Sequence, residues 1–214
     1  NILKNEDKII SGPDWLYKNI LKNKKVIAVS GTHGKTSVTS MITHALIDND
    51  EDPSYLVAGI PKGFNKSWNL TDSDYFVIEA DEYDTAYFDK KPKFFHYKPE
   101  ILLINNIEFD HADIYKNIEQ IEQNFMELAL GLPKESIIYI NSSGVKKSFL
   151  DAIKRNINIK AQIEIFNAEA DDIYDINRNI TVKGLEEIVS ESKVRESLKD
   201  YKGVKRRYDT IFDN

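Results

Sequence analysis

Val26-Ile-Ala-Val-Ser-Gly-Thr-His-Gly-Lys-Thr-Ser37 decides the fold, because a short apolar run leads directly into a turn that contains two glycines. Gly31 and Gly34 allow the backbone to curl with its N–H groups pointing inward, and Lys35 brings a positive charge to bound phosphates. Thr36 would offer a hydroxyl to Mg²⁺ at the start of the following helix. The stretch therefore predicts a phosphate-binding loop between a strand and a helix.

The loop is shorter than the standard P-loop. The pattern Gly-x-x-x-x-Gly-Lys-Ser/Thr would need a glycine where this chain has Val29, so the form here is Gly-x-x-Gly-Lys-Thr. A glycine turn beside a solvated lysine is the plainer alternative. The strand before the loop and the helix-compatible run Ser37–Leu46 after it favour the nucleotide loop, since this is the structural context that such a loop requires.

Composition is that of an ordinary globular protein. The 214 residues are 41% hydrophobic and 30% charged, enough for one sizeable core or two small domains. The absence of cysteine excludes disulfides, thiolate catalysis and Cys-ligated zinc. A net charge of −6 disfavours general nucleic-acid binding, so a small-molecule ligand is expected. No apolar run is long enough to cross a bilayer and no signal peptide is evident, so we expect a cytoplasmic location and no membrane partner.

Short apolar runs without clean alternation are separated by segments with helical spacing. The runs predict strands at Val26–Ser30, Tyr55–Ala58, Tyr75–Glu79, Ile101–Asn105, Ile137–Asn141 and Ile163–Phe166. The segments between or before them predict helices at Pro13–Leu21, from Ser37 to about Ile47, at Ile118–Leu130 and at Val145–Asn156. This pattern indicates an α/β fold whose mostly parallel sheet is flanked by helices.

The pattern weakens after Asn167. The segment Ala168–Asn179 is polar and is expected to be irregular. The segment Leu185–Tyr201 is consistent with one broken helix or two short ones.

Ligands of parallel sheets collect at the carboxyl ends of the strands, and three candidates follow predicted strands there: Gly31, Glu79 and Asn105. Glu79 would emerge where a nucleotide-bound magnesium must be held, and carboxylate oxygens suit that cation. The acidic residues after it, Asp81, Glu82 and Asp84, are expected to form a solvated turn.

Asn105-Asn-Ile-Glu-Phe-Asp-His-Ala-Asp113 gathers amides, carboxylates and an imidazole after another strand. His111, between two aspartates, could hold a metal or orient a substrate, although a lone histidine is more often a structural hydrogen-bonding group. His33 lies inside the phosphate loop, where its imidazole could contact a second anionic group.

Three blocks, in this order and spacing, together resemble the Mur ligases of peptidoglycan metabolism. They are Ser30-Gly-Thr-His-Gly-Lys-Thr36, Val77-Ile-Glu-Ala-Asp-Glu-Tyr-Asp-Thr85 and the run from Asn105 to Asp113. The segment Glu79–Lys90 resembles the members that add a whole tripeptide rather than those that add L-alanine. The resemblance implies a P-loop-type Mur ligase central domain.

What the resemblance implies is an ATP-dependent carbon-nitrogen ligase. ATP would phosphorylate a carboxylate of UDP-N-acetylmuramate, and the amine of L-Ala-γ-D-Glu-meso-diaminopimelate would attack the acyl phosphate in peptidoglycan recycling. The implied catalytic residues are Lys35, Glu79 and His111, and the implied Mg²⁺ ligands are Thr36, Glu79 and His111. Residues implied to bind ATP are Gly31, Thr32, His33, Gly34, Lys35, Thr36, Ser37 and Asn106, with His33 facing the muramyl nucleotide.

The chain departs from the family pattern in its length and in one motif. We expect a linker at 1–12, the central domain at 13–203, internally shortened after 167, and at 204–214 the start of a linker, with the family's N- and C-terminal domains missing. The family's Gly-x-His-Asn helix, whose asparagines contact adenine, is not found between Asn167 and Gly203, and Asn177 and Asn179 are poor substitutes. The metal-site lysine that some relatives carbamylate is not expected either, because the corresponding residue is Met126.

Two alternatives stay open. One is an L-alanine-adding or folylpolyglutamate-type ligase. The segment Glu79–Lys90 argues against both. The other is a nucleotide-binding module without ligase activity, which the departures from the family pattern favour.

Overall fold

The computed structural model describes residues 9–110 and 115–205. Its α-helices are α1 (Gly12–Asn19), α2 (Lys35–Asp48), α3 (Phe94–Tyr97), α4 (Ile118–Gly131), α5 (Lys147–Arg155), α6 (Ile173–Leu185) and α7 (Glu191–Ser197). Its strands are β1 (Lys25–Ser30), β2 (Ser54–Leu56), β3 (Trp68–Asn69), β4 (Tyr75–Glu79), β5 (Asp84–Ala86), β6 (Asp89–Pro92), β7 (Ile101–Ile104), β8 (Ile137–Asn141) and β9 (Gln162–Phe166). Within those two ranges, every helix is too short or too polar to cross a membrane.

The main sheet has the strand order β3-β2-β4-β1-β7-β8-β9. All neighbouring pairs are parallel except β2 with β3, and β5 and β6 form a separate antiparallel hairpin. Strand β1 lies between β4 and β7, so the segments that follow these three strands meet at one edge of the sheet. The mostly parallel α/β fold predicted from the sequence is confirmed.

Both faces of the sheet are covered, which explains why its strands are continuous apolar runs. Successive side chains of β1 point to opposite faces: Val26 and Ala28 join the core beneath α3, α4 and α5, while Ile27 and Val29 join the core beneath α2, α6 and α7. A strand buried on both sides has no polar face, so polar and apolar residues do not alternate along its sequence.

The predicted elements lie where the sequence placed them up to residue 167, with ends shifted by a few residues at most. Beyond it the prediction was only partly right. The segment expected to be irregular contains the start of α6, whose N-cap Asp172 accepts a hydrogen bond from the N–H of Asp175. Leu185 ends this helix instead of beginning one, and only α7 falls within the range 185–201. The cause is the composition of the buried face of α6, which includes Asn177, Thr181 and Gly184 and so lacks the apolar periodicity of a core helix.

Candidate functional site

The loop after β1 depends on its two glycines. Gly31 has φ +127°, and a Cβ there would lie 2.8 Å from the backbone oxygen of Asn106. Gly34, with φ +81°, is the N-cap of α2, and its Cβ would lie 3.0 Å from the side-chain amides of Asn105 and Asn177. Both positions combine left-handed backbone with close approach by a neighbour, so each requires glycine.

Asn106, just beyond β7, holds the middle of the loop. Its side-chain oxygen accepts a hydrogen bond from the N–H of His33 at 2.8 Å, and its Nδ2 donates to the carbonyl of the same residue at 3.2 Å. Its backbone oxygen accepts from the N–H of Thr32 at 3.2 Å. Asn106 therefore shapes the loop through its own bonds, and its direct contact with ATP stays a prediction.

Lys35 begins α2 and folds back over the loop. Its Nζ donates to the carbonyl of Gly31 at 2.7 Å and lies 3.4 Å from that of Thr32. It also forms an ion pair of 2.9 Å with Oε2 of Glu82, whose side chain is only 2% exposed. The expectation that Glu82 belongs to a solvated turn was wrong, because its side chain is directed inward toward the loop lysine.

Thr36 and Glu79 are brought together, as the sequence predicted. The Thr36 hydroxyl donates to Oε2 of Glu79 at 3.1 Å, and the other carboxylate oxygen accepts from the N–H of Ala58 at 2.7 Å. A hydroxyl and a carboxylate thus converge beside the phosphate loop, and both are ligand types that Mg²⁺ prefers.

The remaining predicted site residues have different outcomes. His33 is exposed, and its Nε2 lies 3.9 Å from a carboxylate oxygen of Glu108. Ser37 lines a cavity next to the loop. His111 lies outside the described residues, so its roles as a catalytic residue and as a metal ligand stay predictions. Across residues 9–110 and 115–205, His, Asp and Glu side chains form no group of three or more that could hold a metal ion.

A cavity of about 440 Å³ adjoins the loop on the side of α2. It is lined by Ser37, Met41, Lys62, Asp172, Ile173, Tyr174, Asn177, Tyr201, Lys202, Gly203 and Val204. Asn177 is 4% exposed, and its amide also approaches Gly34. Asn177, judged from the sequence a poor substitute for the family's adenine-contacting asparagines, therefore lies where the cavity meets the phosphate loop. Val204, the first residue of the expected linker 204–214, is buried here.

Tyr115 connects the segment after β4 to α4. Its hydroxyl donates to the backbone carbonyl of Glu82 at 2.5 Å and accepts from Nδ2 of Asn124 at 3.1 Å. Burial raises the pKa of Tyr115 to about 12, an effect that the hydrogen bond from Asn124 opposes and that the nearby charge of Glu82 increases. This tyrosine stays protonated at neutral pH and fixes the backbone of Glu82.

Sequence reasoning missed two residues of this site, Glu82 and Asn177, for different reasons. Glu82 is 47 residues away from Lys35, and the one available signal was that β4 and β1 are neighbours whose following segments must meet. Asn177 was judged a poor substitute because the motif around it differs from the expected one, and its position beside the loop depends on α6, which the sequence did not predict.

Comparison with known proteins places this geometry in a family. The sequence profile of the Mur ligase middle domain matches residues 29–198. Over 142 residues the chain is 46% identical to the UDP-N-acetylmuramate–L-alanyl-γ-D-glutamyl-meso-2,6-diaminoheptandioate ligase of Haemophilus influenzae, covering 66% of this chain and 31% of that protein. The ligase of the same name from Escherichia coli is 44% identical over 137 residues, covering 64% and 30%.

A solved structure agrees with the sequence comparison. The UDP-N-acetylmuramate:L-alanyl-γ-D-glutamyl-meso-diaminopimelate ligase from Neisseria meningitides superposes with a TM-score of 0.82 at 32% identity, covering 92% of this chain and 72% of that one. The matched region is under a third of the length of the two curated relatives above.

Proposed function

This chain belongs to the Mur ligase family through its middle domain, and we propose that it is the ATP-binding part of a peptidoglycan-recycling ligase. The ligase would join UDP-N-acetylmuramate to L-Ala-γ-D-Glu-meso-diaminopimelate, as the names of its relatives describe for them. The observation that carries the proposal is the convergence of Lys35, Thr36 and Glu79 on one glycine loop.

The reaction proceeds in two steps. The carboxylate of UDP-N-acetylmuramate attacks the γ-phosphorus of ATP, which releases ADP and leaves an acyl phosphate. The tripeptide amine then attacks the acyl carbon, inorganic phosphate leaves, and the amine loses a proton as the amide forms. The protein's main task is to place the reactants in line and to neutralise charge on the transferring group.

The residues of the loop meet these demands. Lys35 provides a positive charge for the phosphates, and the N–H groups at the start of α2 add the partial positive charge of a helix N-terminus. Thr36 and Glu79 would hold Mg²⁺ with help from His111, and the ion would neutralise charge on the phosphate oxygens. The exposed imidazole of His33 would face the muramyl nucleotide.

The nucleoside of ATP would occupy the cavity beside α2. Its volume of about 440 Å³ is within the range of small-molecule pockets. Tyr174 and Tyr201 supply aromatic surface for a base, and the buried amide of Asn177 supplies a donor and an acceptor for its edge.

The test measures phosphate release by the intact protein with ATP, MgCl₂, UDP-N-acetylmuramate and tripeptide, each also omitted in turn. The proposal requires release that depends on the tripeptide and a coupled product of the expected mass. Lys35→Ala should abolish release, whereas Lys160→Ala, at an exposed lysine, should not. Release that depends on L-alanine would identify an L-alanine-adding ligase, and ATP binding without release under any condition would identify a nucleotide-binding module.

A further inference from the structure

The ion pair between Lys35 and Glu82 is the least expected feature of the phosphate loop. Both side chains are sheltered from solvent, at 14% and 2% exposure, and their charged atoms are 2.9 Å apart. Burying two charges is costly unless each has a close partner and further hydrogen bonds. The Lys35 ammonium meets this condition, since it also contacts the carbonyls of Gly31 and Thr32.

The main chain at Glu82 is itself held in place by Tyr115. Its backbone carbonyl accepts the hydroxyl of Tyr115, which in turn accepts a hydrogen bond from Asn124 of α4. The main chain at Glu82 is therefore fixed through Tyr115 and Asn124 from the opposite face of the sheet from α2, while its carboxylate pairs with Lys35. The Lys35 ammonium thus has one partner whose main chain is fixed from outside the loop, in addition to the two carbonyls of the loop.

The three contacts of Lys35 differ in strength. The bonds to Gly31 at 2.7 Å and to Glu82 at 2.9 Å are short, whereas the 3.4 Å contact with Thr32 is at the limit for a hydrogen bond. An ammonium has three protons to donate. A phosphate oxygen could replace the weak contact with Thr32 at little cost and leave the ion pair with Glu82 in place.

We propose that Glu82 is a positioning residue for ATP binding. Its carboxylate holds the Lys35 ammonium in the orientation that the β- and γ-phosphates require. This inference rests on the proposed function, because it concerns the same loop and the same nucleotide. Glu82 acts through Lys35 and does not touch ATP. Without the Glu82 carboxylate, the Lys35 ammonium loses its fixed partner and can turn away from the phosphates. ATP binding is then weakened through the phosphate contacts alone.

The test compares ligands with and without phosphates. Affinities of the intact protein for ATP and adenosine are measured by titration calorimetry for the wild type, Glu82→Gln, Lys35→Ala and the double variant. We expect Glu82→Gln to weaken ATP binding about tenfold, the factor that corresponds to 1.4 kcal/mol, and to leave adenosine binding unchanged. In the Lys35→Ala background, Glu82→Gln should cause no further loss. Glu127→Gln makes the same chemical change at an exposed site on α4 and should alter neither affinity.

Any other outcome for the affinities of a folded Glu82→Gln protein overturns the inference. Tighter ATP binding by Glu82→Gln would mean that the carboxylate competes with phosphate for the lysine. Equal loss for ATP and adenosine would indicate a general structural role, and an unchanged affinity would indicate none. If Glu82→Gln does not fold, Glu82→Asp retains the charge with a shorter reach and should weaken ATP binding selectively, by a smaller factor. Failure of the wild type to bind ATP would instead refute the proposed function.

Discussion

The hydroxyl of Thr36 lies 3.1 Å from Oε2 of Glu79 and donates a hydrogen bond to it, joining the first turn of α2 to the end of β4. The second carboxylate oxygen accepts a hydrogen bond from the N–H of Ala58, which follows β2. Glu79 is thereby oriented from two sides by neighbouring segments of the sheet edge. The two contacts fix the orientation of the carboxylate beside the phosphate loop, as the proposed Mg²⁺ site requires.

Glu79→Gln should raise the Mg²⁺ concentration needed for half-maximal phosphate release by at least about tenfold, because a neutral amide is a poorer ligand for a hard cation. The fold should persist, since the amide oxygen can still accept a hydrogen bond from Ala58 or Thr36. The measurement is an Mg²⁺ titration at saturating ATP, with Glu127→Gln as the matched control. An unchanged Mg²⁺ requirement would remove Glu79 from the metal site.

Much of this arrangement could be predicted from the sequence because it is local. The strands Tyr75–Glu79 and Ile137–Asn141 have the predicted bounds, since a strand buried on both faces is an apolar run with polar residues at its ends. Glu82 could not be predicted in the same way. Its inward direction depends on Lys35 and on Tyr115, which are distant in sequence. Helix α6 was not predicted because its buried face includes two polar residues, Asn177, which lines the cavity, and Thr181, whose hydroxyl donates to the carbonyl of Asn177.

Asn177→Ala should weaken ATP binding about tenfold while leaving tripolyphosphate binding unchanged, because the amide lines the cavity proposed for the nucleoside. Asn179→Ala is the matched control on the same helix, since the Asn179 side chain accepts a hydrogen bond from Arg195 and is not among the residues that line the cavity. Calorimetric titration with both ligands distinguishes the two parts of the site. Equal losses for ATP and tripolyphosphate would contradict the assignment of this cavity to the nucleoside.

The free energy of unfolding should fall as the pH rises above 10. The pKa of Tyr115 is raised to about 12 in the folded protein, and that of an unfolded tyrosine is about 10. The folded state therefore favours the protonated phenol, and this contribution is present below pH 10 and is lost between pH 10 and 12. Burial also raises the pKa values of Tyr97 and Tyr139, so they act in the same direction.

Urea unfolding at pH 8, 10 and 11 tests this prediction. Tyr115→Phe should be less stable than the wild type at pH 8, because the hydrogen bond to Glu82 is lost, but its stability should fall less steeply with pH. Between pH 8 and pH 11 the wild type should lose about 1–2 kcal/mol more unfolding free energy than Tyr115→Phe. Tyr87→Phe, at a position 87% exposed, should retain the pH dependence of the wild type. Parallel curves for all three proteins would refute the role of Tyr115.

Gly184→Ala should destabilise the protein although alanine is the better helix former. Gly184 lies within α6, and a Cβ there would lie 2.6, 2.9 and 3.2 Å from Cδ2, Cδ1 and Cγ of Leu103, which is fully buried in β7. Overpacking of this kind costs about 1–3 kcal/mol, and three side-chain atoms within 3.2 Å place the cost above the roughly 1 kcal/mol gained in helix propensity. Gly131→Ala is the matched control, because nothing lies within 4 Å of a Cβ at this last residue of α4. Its free energy of unfolding should rise by about 0.4–1 kcal/mol. Denaturant unfolding of the two variants should therefore give shifts of opposite sign, and a stabilised Gly184→Ala protein would mean that α6 does not pack against β7 as closely as described.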